Sequence, residues 1–310
     1  MDADGRIKRA KRVYTSTTMD ADGRIEWAKR VCKDTRTVEL NLEHALGPPV
    51  FVFRPIPGWD PIHEAATRGP VKTIKTLAER NPGCLNARVR NEDFEYHDDR
   101  VHTFNPVMLA AYAGRDKALA KLLELGADPH LHVKRPEAWR GLLDEYGGYT
   151  AVHWACFRAN DTCLKLLLEA GADPMALSDR GETAMMSILT WKYTSIRCAE
   201  LLMEYVPAEN RLAFLNAQNT WGSNCGRRTA LHMAASGGHR RMVELLLGWG
   251  ADPMFCDNGE RTPLDLATGE GLRPNQDCAD LLRAAMELHD ARAAVAAKEA
   301  AFESAAQALA

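Results

Sequence analysis

No stretch of the chain approaches the roughly 20 consecutive apolar residues that a membrane-spanning helix needs. The opening MDADGRIKRAKR has no apolar core of the kind a secretory leader carries. Basic charge is not in excess either: 39 Lys and Arg stand against 42 Asp and Glu, a net of −3. Binding to nucleic acid or to an anionic membrane usually leaves a basic surplus, so neither is the expected partner. The eight cysteines include no C-x-x-C pair, and zinc and redox sites usually need such pairs. Reduced, structural thiols in the cytoplasm are expected, with the cytoskeleton, a cilium or the nucleus as alternative locations.

Catalytic signatures are also missing. There is no G-x-x-x-x-G-K-[ST] loop, no G-x-G-x-x-G after a strand and no G-x-S-x-G elbow. His63-Glu64 opens an H-E-x-x-x string, but Thr67 stands where a zinc protease needs its second His. Placing Gly23 at the sixth position of a calcium loop puts Lys29 twelfth, where a bidentate Glu is required. His97-Asp98-Asp99 with His102, and His130 with His132, are metal-ligand types without a reinforcing pattern, and read as solvated loop residues. No enzyme, cofactor or metal is expected.

What the chain does have is repetition. DPIHEAA from Asp60, NPVMLAA from Asn105, TAVHWAC from Thr150, TAMMSIL from Thr183, TALHMAA from Thr229 and TPLDLAT from Thr262 follow each other at spacings of 45, 45, 33, 46 and 33. One 33-residue unit with three insertions of 12 or 13 residues explains all five spacings. Each unit opens on Asp, Asn or Thr, whose side chain can cap a helix. Pro61, Pro106 and Pro263 follow at the first helical position, and small pairs such as Ala110-Ala111 and Ala234-Ala235 allow helices to approach closely. A second apolar helix follows and closes at Gly126, Gly171 or Gly250. Asn81 is expected to hold that left-handed position in the first unit. The fourth unit, with Met186 in place of His and Val206-Pro207 in place of the closing Gly, is expected to be irregular.

These residues, read as TALHMAASGGHRRMVELLLGWGADP over 229–253 and TAVHWACFRANDTCLKLLLEAGADP over 150–174, resemble the ankyrin repeat family, whose signature is T-P-L-H-x-A. The resemblance covers about 60–288. It implies an all-α solenoid of about six helix pairs, with hairpin fingers projecting at right angles and a C-terminal helix. It also implies that His63, His153 and His232 tie a turn to neighbouring backbone. A duplicated segment over 1–34, in which MDADGRIKRAKRV recurs as MDADGRIEWAKRV, precedes the array. It is expected to be a solvated tail, and Met19 a candidate second start. A capping segment at 35–59 should follow. An Ala-rich helical tail at 289–310 ends the chain, where Val295, Phe302 and Leu309 recur every seven residues. That tail reads either as a weak coiled-coil seam or as a solvent-exposed helix.

The family relationship implies a partner protein on the concave face and fingers. Tyr112, Phe157 and Trp191 fall on that face in three consecutive repeats, flanked by Arg68 and Arg158, while Trp139 and Trp221 lie in the long fingers. Aromatic and Arg side chains dominate interface hot spots, although these rings can equally be covered by the enlarged fingers. The insertions, near 88–104, 132–148 and 207–227, fall where fingers belong. RPEAWRGLLDEY and PAENRLAFL within the last two suggest short helices. The expected function is a non-catalytic interaction module acting as an adaptor or scaffold. Alternatives are a structural subunit of a cytoskeletal or ciliary assembly and, lower, a substrate receptor in ubiquitin transfer. Nothing in the sequence fixes the oligomeric state or the partner.

Overall fold

A computed structural model describes residues 60–88, 104–133, 147–190, 194–220, 226–269 and 275–309, with side chains through 300. All of them lie in the unit Pro55–Ala310. The N-terminal duplication, the 35–59 segment, the RPEAWRGLLDEY helix and the residues Phe94, Tyr96, Trp139, Tyr146, Trp191 and Trp221 lie outside the described residues.

Each repeat contributes two helices. The first-helix series is α1 (Pro61–Thr67), α3 (Pro106–Tyr112), α5 (Ala151–Phe157), α7 (Ala184–Ile188), α10 (Ala230–Ser236) and α12 (Pro263–Thr268). The second-helix series is α2 (Val71–Arg80), α4 (Asp116–Glu124), α6 (Asp161–Glu169), α8 (Ile196–Tyr205), α11 (Arg240–Gly248) and α13 (Gln276–Leu309). An extra short helix, α9 (Arg211–Leu215), lies in the third insertion and follows a 3-10 turn at Ala208–Asn210, as the PAENRLAFL string suggests. First helices pack on first helices and second on second from α1 and α2 through α7 and α8. The core is therefore one continuous file of small and aliphatic side chains. Ala66, Ala110, Ala111, Ala155 and Ala234 are fully buried at the first-helix contacts, where any larger group would hold the helices apart.

The caps account for where the first helices start. Asn105 accepts from the Met108 amide at 2.8 Å, and Thr183, Thr229 and Thr262 accept from the amide three residues on. Asp60 departs from the expectation. Its side chain makes no capping bond, and Pro61 at the first helical position carries that start instead. At the other end of the unit, Gly126, Gly171 and Gly250 take φ of 89°, 85° and 96°, as their positions predict. Asn81 does not follow them. Its φ is −148°, extended backbone, because the chain runs from α2 straight into a 3-10 turn at Pro82–Asn86 rather than reversing through a left-handed residue.

Consecutive repeats are also tied by side chains reaching backward to exposed helix-end carbonyls. The Arg115 guanidinium donates to the Thr67 and Gly69 carbonyls at 2.9 and 2.8 Å. Asn160 donates to the Ala111 carbonyl at 2.7 Å, and Asn275 to the Gly238 carbonyl at 3.2 Å. These carbonyls lie at or just past the ends of first helices. Those of Ala111 and Gly238 also accept the Gly114 and Arg240 amides, at 3.3 and 3.0 Å, so there the side chain adds a second donor. His239 holds the same position in the fifth repeat and makes no such bond among the described residues. There the stack is also thinnest: α7 is only five residues long, α7 and α10 touch over a short stretch, and α8 and α11 make at most glancing contact. The fourth repeat is thus irregular, as its sequence predicts. The third insertion fills the gap, with Phe214 and Leu215 of α9 buried and Asn216 accepting from the Asp252 amide at 2.9 Å.

Candidate functional site

The fingers of the second, third and fifth units grow out of the same turn. The G-A-D-P string places an Asp whose carboxylate accepts from the amide two residues on. The bonds are Asp128 to His130, Asp173 to Met175 and Asp252 to Met254, each 2.8 Å. This is the local turn that short acidic side chains favour. Beyond it the chain forms a narrow hairpin base, closed by Val133 with Tyr149, Ser178 with Glu182, Asn219 with Arg228 and Asp257 with Arg261. The bases are then stitched to each other. The Asp179 amide donates to Gly147, Thr220 to Arg180 and Asn258 to Gly226, at 2.9, 2.7 and 2.9 Å. From the second finger onward the projecting loops therefore form one hydrogen-bonded row, which keeps them rigid enough to present a surface.

The repeat histidines hold that row against the helices. The Nε2 atoms of His63, His153 and His232 lie 2.8, 3.2 and 3.1 Å from the carbonyls of Ala87, Glu182 and Arg261 in the following finger. The Nδ1 atoms of His153 and His232 sit 3.0 and 2.8 Å from the cap hydroxyls of Thr150 and Thr229. Burial lowers the pKa of all three, for His153 to about 4. Each is therefore neutral, donating through Nε2 and accepting at Nδ1 where a cap faces it. This is the structural role that the family resemblance implies.

Asp257 organises the fifth-to-sixth finger. Burial alone would raise its pKa, but the Arg261 side chain and the amides of Gly259 and Arg261 outweigh that and hold it at about 2. Arg261 Nη2 and the Gly259 amide both lie 2.8 Å from its carboxylate. Arg228 adds a longer contact from the preceding finger at 3.4 Å.

Tyr112 and Phe157, the described aromatic residues expected on the concave strip, are part of the packing. They are 7% and 6% exposed. Both stand edge-on to Trp154 at 5.5 Å, and Phe104 and Tyr149 meet the same indole at 4.7 and 5.1 Å. Phe104 and Tyr149 flank the first two insertions, so this cluster pins the long fingers onto the helices. Physically, a tryptophan at the third-repeat position brings five rings within mutual contact, and their burial outcompetes exposure. Arg158 lies over the Tyr112 ring, 4.8 Å from its centre. Arg68 pairs with Glu64 at 2.8 Å on the surface. Of the expected partner-contact residues that are described, only these two arginines reach solvent.

A different surface is open. A cleft of about 290 Å³ lies between the second and third fingers, lined by Pro129, His130, His132, Asp173, Leu177 and Asp179 among others. Leu177 is 56% exposed at its edge. His130 and His132 stood out in the sequence. Leu177, Asp173 and Asp179 did not, because only the stitching of Asp179 to Gly147 brings the two fingers side by side. No group of three or more His, Cys, Asp or Glu among the described residues is arranged to hold a metal, and no helix among them is long and apolar enough to cross a membrane. The thiols of Cys84, Cys156, Cys163, Cys198 and Cys278 are free and buried, with Cys256 exposed. Burial raises Cys163 to about 12 and Cys198 to about 11, which leaves them protonated and unreactive.

Residues 215–267 match a family model described as ankyrin repeats in many copies, and residues 147–179 match the single ankyrin repeat. Comparison with curated proteins gave no match. Ankyrin repeats generally mediate protein–protein interaction and are typically non-catalytic. Two matched segments, the stacked helix pairs, the ladder of fingers and the buried repeat histidines agree, and the chain is an ankyrin repeat protein.

Proposed function

We propose that this chain is a non-catalytic adaptor or scaffold that docks a partner protein along its row of fingers, with the cleft between the second and third fingers as the anchor point. The observation that carries the reading is Leu177: a large aliphatic side chain, 56% exposed, at a cleft lined by polar and apolar groups in about equal measure on a hydrogen-bonded row. An exposed apolar anchor inside a polar rim is how interaction surfaces are commonly built. His130, His132 and Asp179 supply hydrogen-bonding groups of both kinds around it. The partner class that fits is an extended peptide segment with one apolar side chain among polar neighbours.

The experiment is capture of partners from native cells by the wild-type chain, followed by titration of the recovered partner against Leu177→Asp and His132→Ala. Weakening of at least tenfold by Leu177→Asp at unchanged melting temperature supports the reading. Equal binding by the variant removes the cleft as anchor, and recovery of no protein partner by the wild type removes the adaptor function itself.

A further inference from the structure

The last helix outruns the repeats it belongs to. Cys278, Ala279 and Leu282 are fully buried against the fifth repeat and serve as the second helix of the sixth. The helix then continues to Leu309, an overhang of roughly 30 Å at 1.5 Å per residue. Every residue described from Glu287 to Ala300 is exposed. Leu288 and Val295 are 52% and 55% exposed, an unusual state for two aliphatic side chains on one stripe of a helix.

The stripe has an ordered composition. Leu288, Val295, Phe302 and Leu309 repeat at seven residues. Three positions after the first three lie Ala291, Lys298 and Ala305, and one position before the last three lie Ala294, Ala301 and Ala308. A bulky column bordered by alanine suits a second helix whose own bulky residues drop against the alanines, with a close approach of the two backbones. Direction follows from charge. Arg292 and Glu299 occupy the flank four residues after Leu288 and Val295, and neither has an ion-pair partner among the described residues. In a parallel in-register pair Arg292 would face Glu287 of the second copy, but Lys298 would meet its own counterpart on the seam, like charge against like. In an antiparallel pair set so that Val295 lies opposite Lys298, Leu288 falls opposite Ala305 and Phe302 opposite Ala291. The flanking Arg292 then falls beside Glu299 of the second copy, twice by symmetry. Flank-to-flank pairing of this kind sets orientation in paired helices, and a two-fold arrangement closes on itself.

We propose that the overhang of α13 is a self-association element that pairs two copies of this chain antiparallel in this register. It is independent of the partner surface on the fingers. The area involved is on the order of 1,000 Å² in total, at the low end of specific interfaces, so the association belongs to the micromolar range or weaker.

The test uses the full chain and sedimentation over a dilution series reaching high micromolar concentration. Wild type should move from the monomer mass toward twice that mass. Arg292→Glu places Glu opposite Glu, and Glu299→Arg places Arg opposite Arg, so each alone should remain monomeric. Mixed in equal amounts they should recover the doubled mass, because every flank contact in the mixed pair is again Arg with Glu. Both substitutions are at exposed sites and keep good helix formers, and an unchanged helical signal by circular dichroism verifies folding. A wild-type monomer throughout, or dimers that persist in Arg292→Glu alone, or a mixture that stays monomeric, each overturns the proposal.

Discussion

The His153 imidazole spans two repeats, with Nδ1 3.0 Å from the Thr150 hydroxyl and Nε2 3.2 Å from the Glu182 carbonyl. This fully buried ring has to be neutral to make both bonds. Burial pushes its pKa from 6.5 down to about 4. A depressed folded value means its contribution is whole above about 6.5 and is lost as pH falls through about 4. The difference corresponds to about 3 kcal/mol. Urea midpoints at a series of pH values should fall across this window in wild type and fall less in His153→Gln.

Asp257 gives the complementary acid response. Its carboxyl is held near 2, so what it contributes is present above the ordinary carboxylate value and disappears as pH falls through about 2. Asp257→Ala leaves the Gly259 and Arg261 amides without their acceptor and should cost about 1–3 kcal/mol. Because the finger it closes accepts the His232 bond through the Arg261 carbonyl, amide exchange should accelerate at His232 as well as in the finger.

The ring cluster predicts stability effects where a binding strip would predict none. Tyr112→Ala or Phe157→Ala removes a buried ring from around Trp154 and should cost about 3–5 kcal/mol. Arg158→Ala removes the cation lying over Tyr112, a contact worth about 0.5–1 kcal/mol, and should cost less than either ring deletion. Chemical denaturation of the three variants measures both numbers.

Asn160 tests the backward ties between repeats. Replacing it with Ala strips the Ala111 carbonyl of its 2.7 Å donor and should lower stability by about 1–2 kcal/mol. Asn160→Asp should be worse, since a carboxylate would then face that carbonyl. Denaturation curves of the pair, compared at neutral pH, decide it.

Much of this was legible in residues that act within their own turn. Cap threonines, Gly126, Gly171 and Gly250, and the buried alanine pairs need only local geometry and period, so the helix pairs follow from them. Asn81 was misleading for a local reason: Pro82 just after it commits the chain to a 3-10 turn, and that outweighs the tolerance of Asn for a left-handed backbone. The site was harder to read because its parts meet only in space. Tyr112 looks like an exposed ring until Trp154 from the next repeat and Phe104 from the end of the first insertion close over it. Leu177 gives no signal of its own. Its exposure follows from how the Asp179 amide binds the neighbouring finger at Gly147.

The thin contact between the fourth and fifth repeats has a consequence for cooperativity. A stack whose stability is a sum of units and nearest-neighbour couplings comes apart first where the coupling is smallest. With α7 shortened, α8 and α11 scarcely touching and α9 as the filler, the array should unfold as two blocks in series. One runs from the first to the fourth repeat and the other comprises the fifth and sixth. Thermal melting should then show two transitions, and protease should release a C-terminal fragment by cutting near 207–227 before the N-terminal block yields.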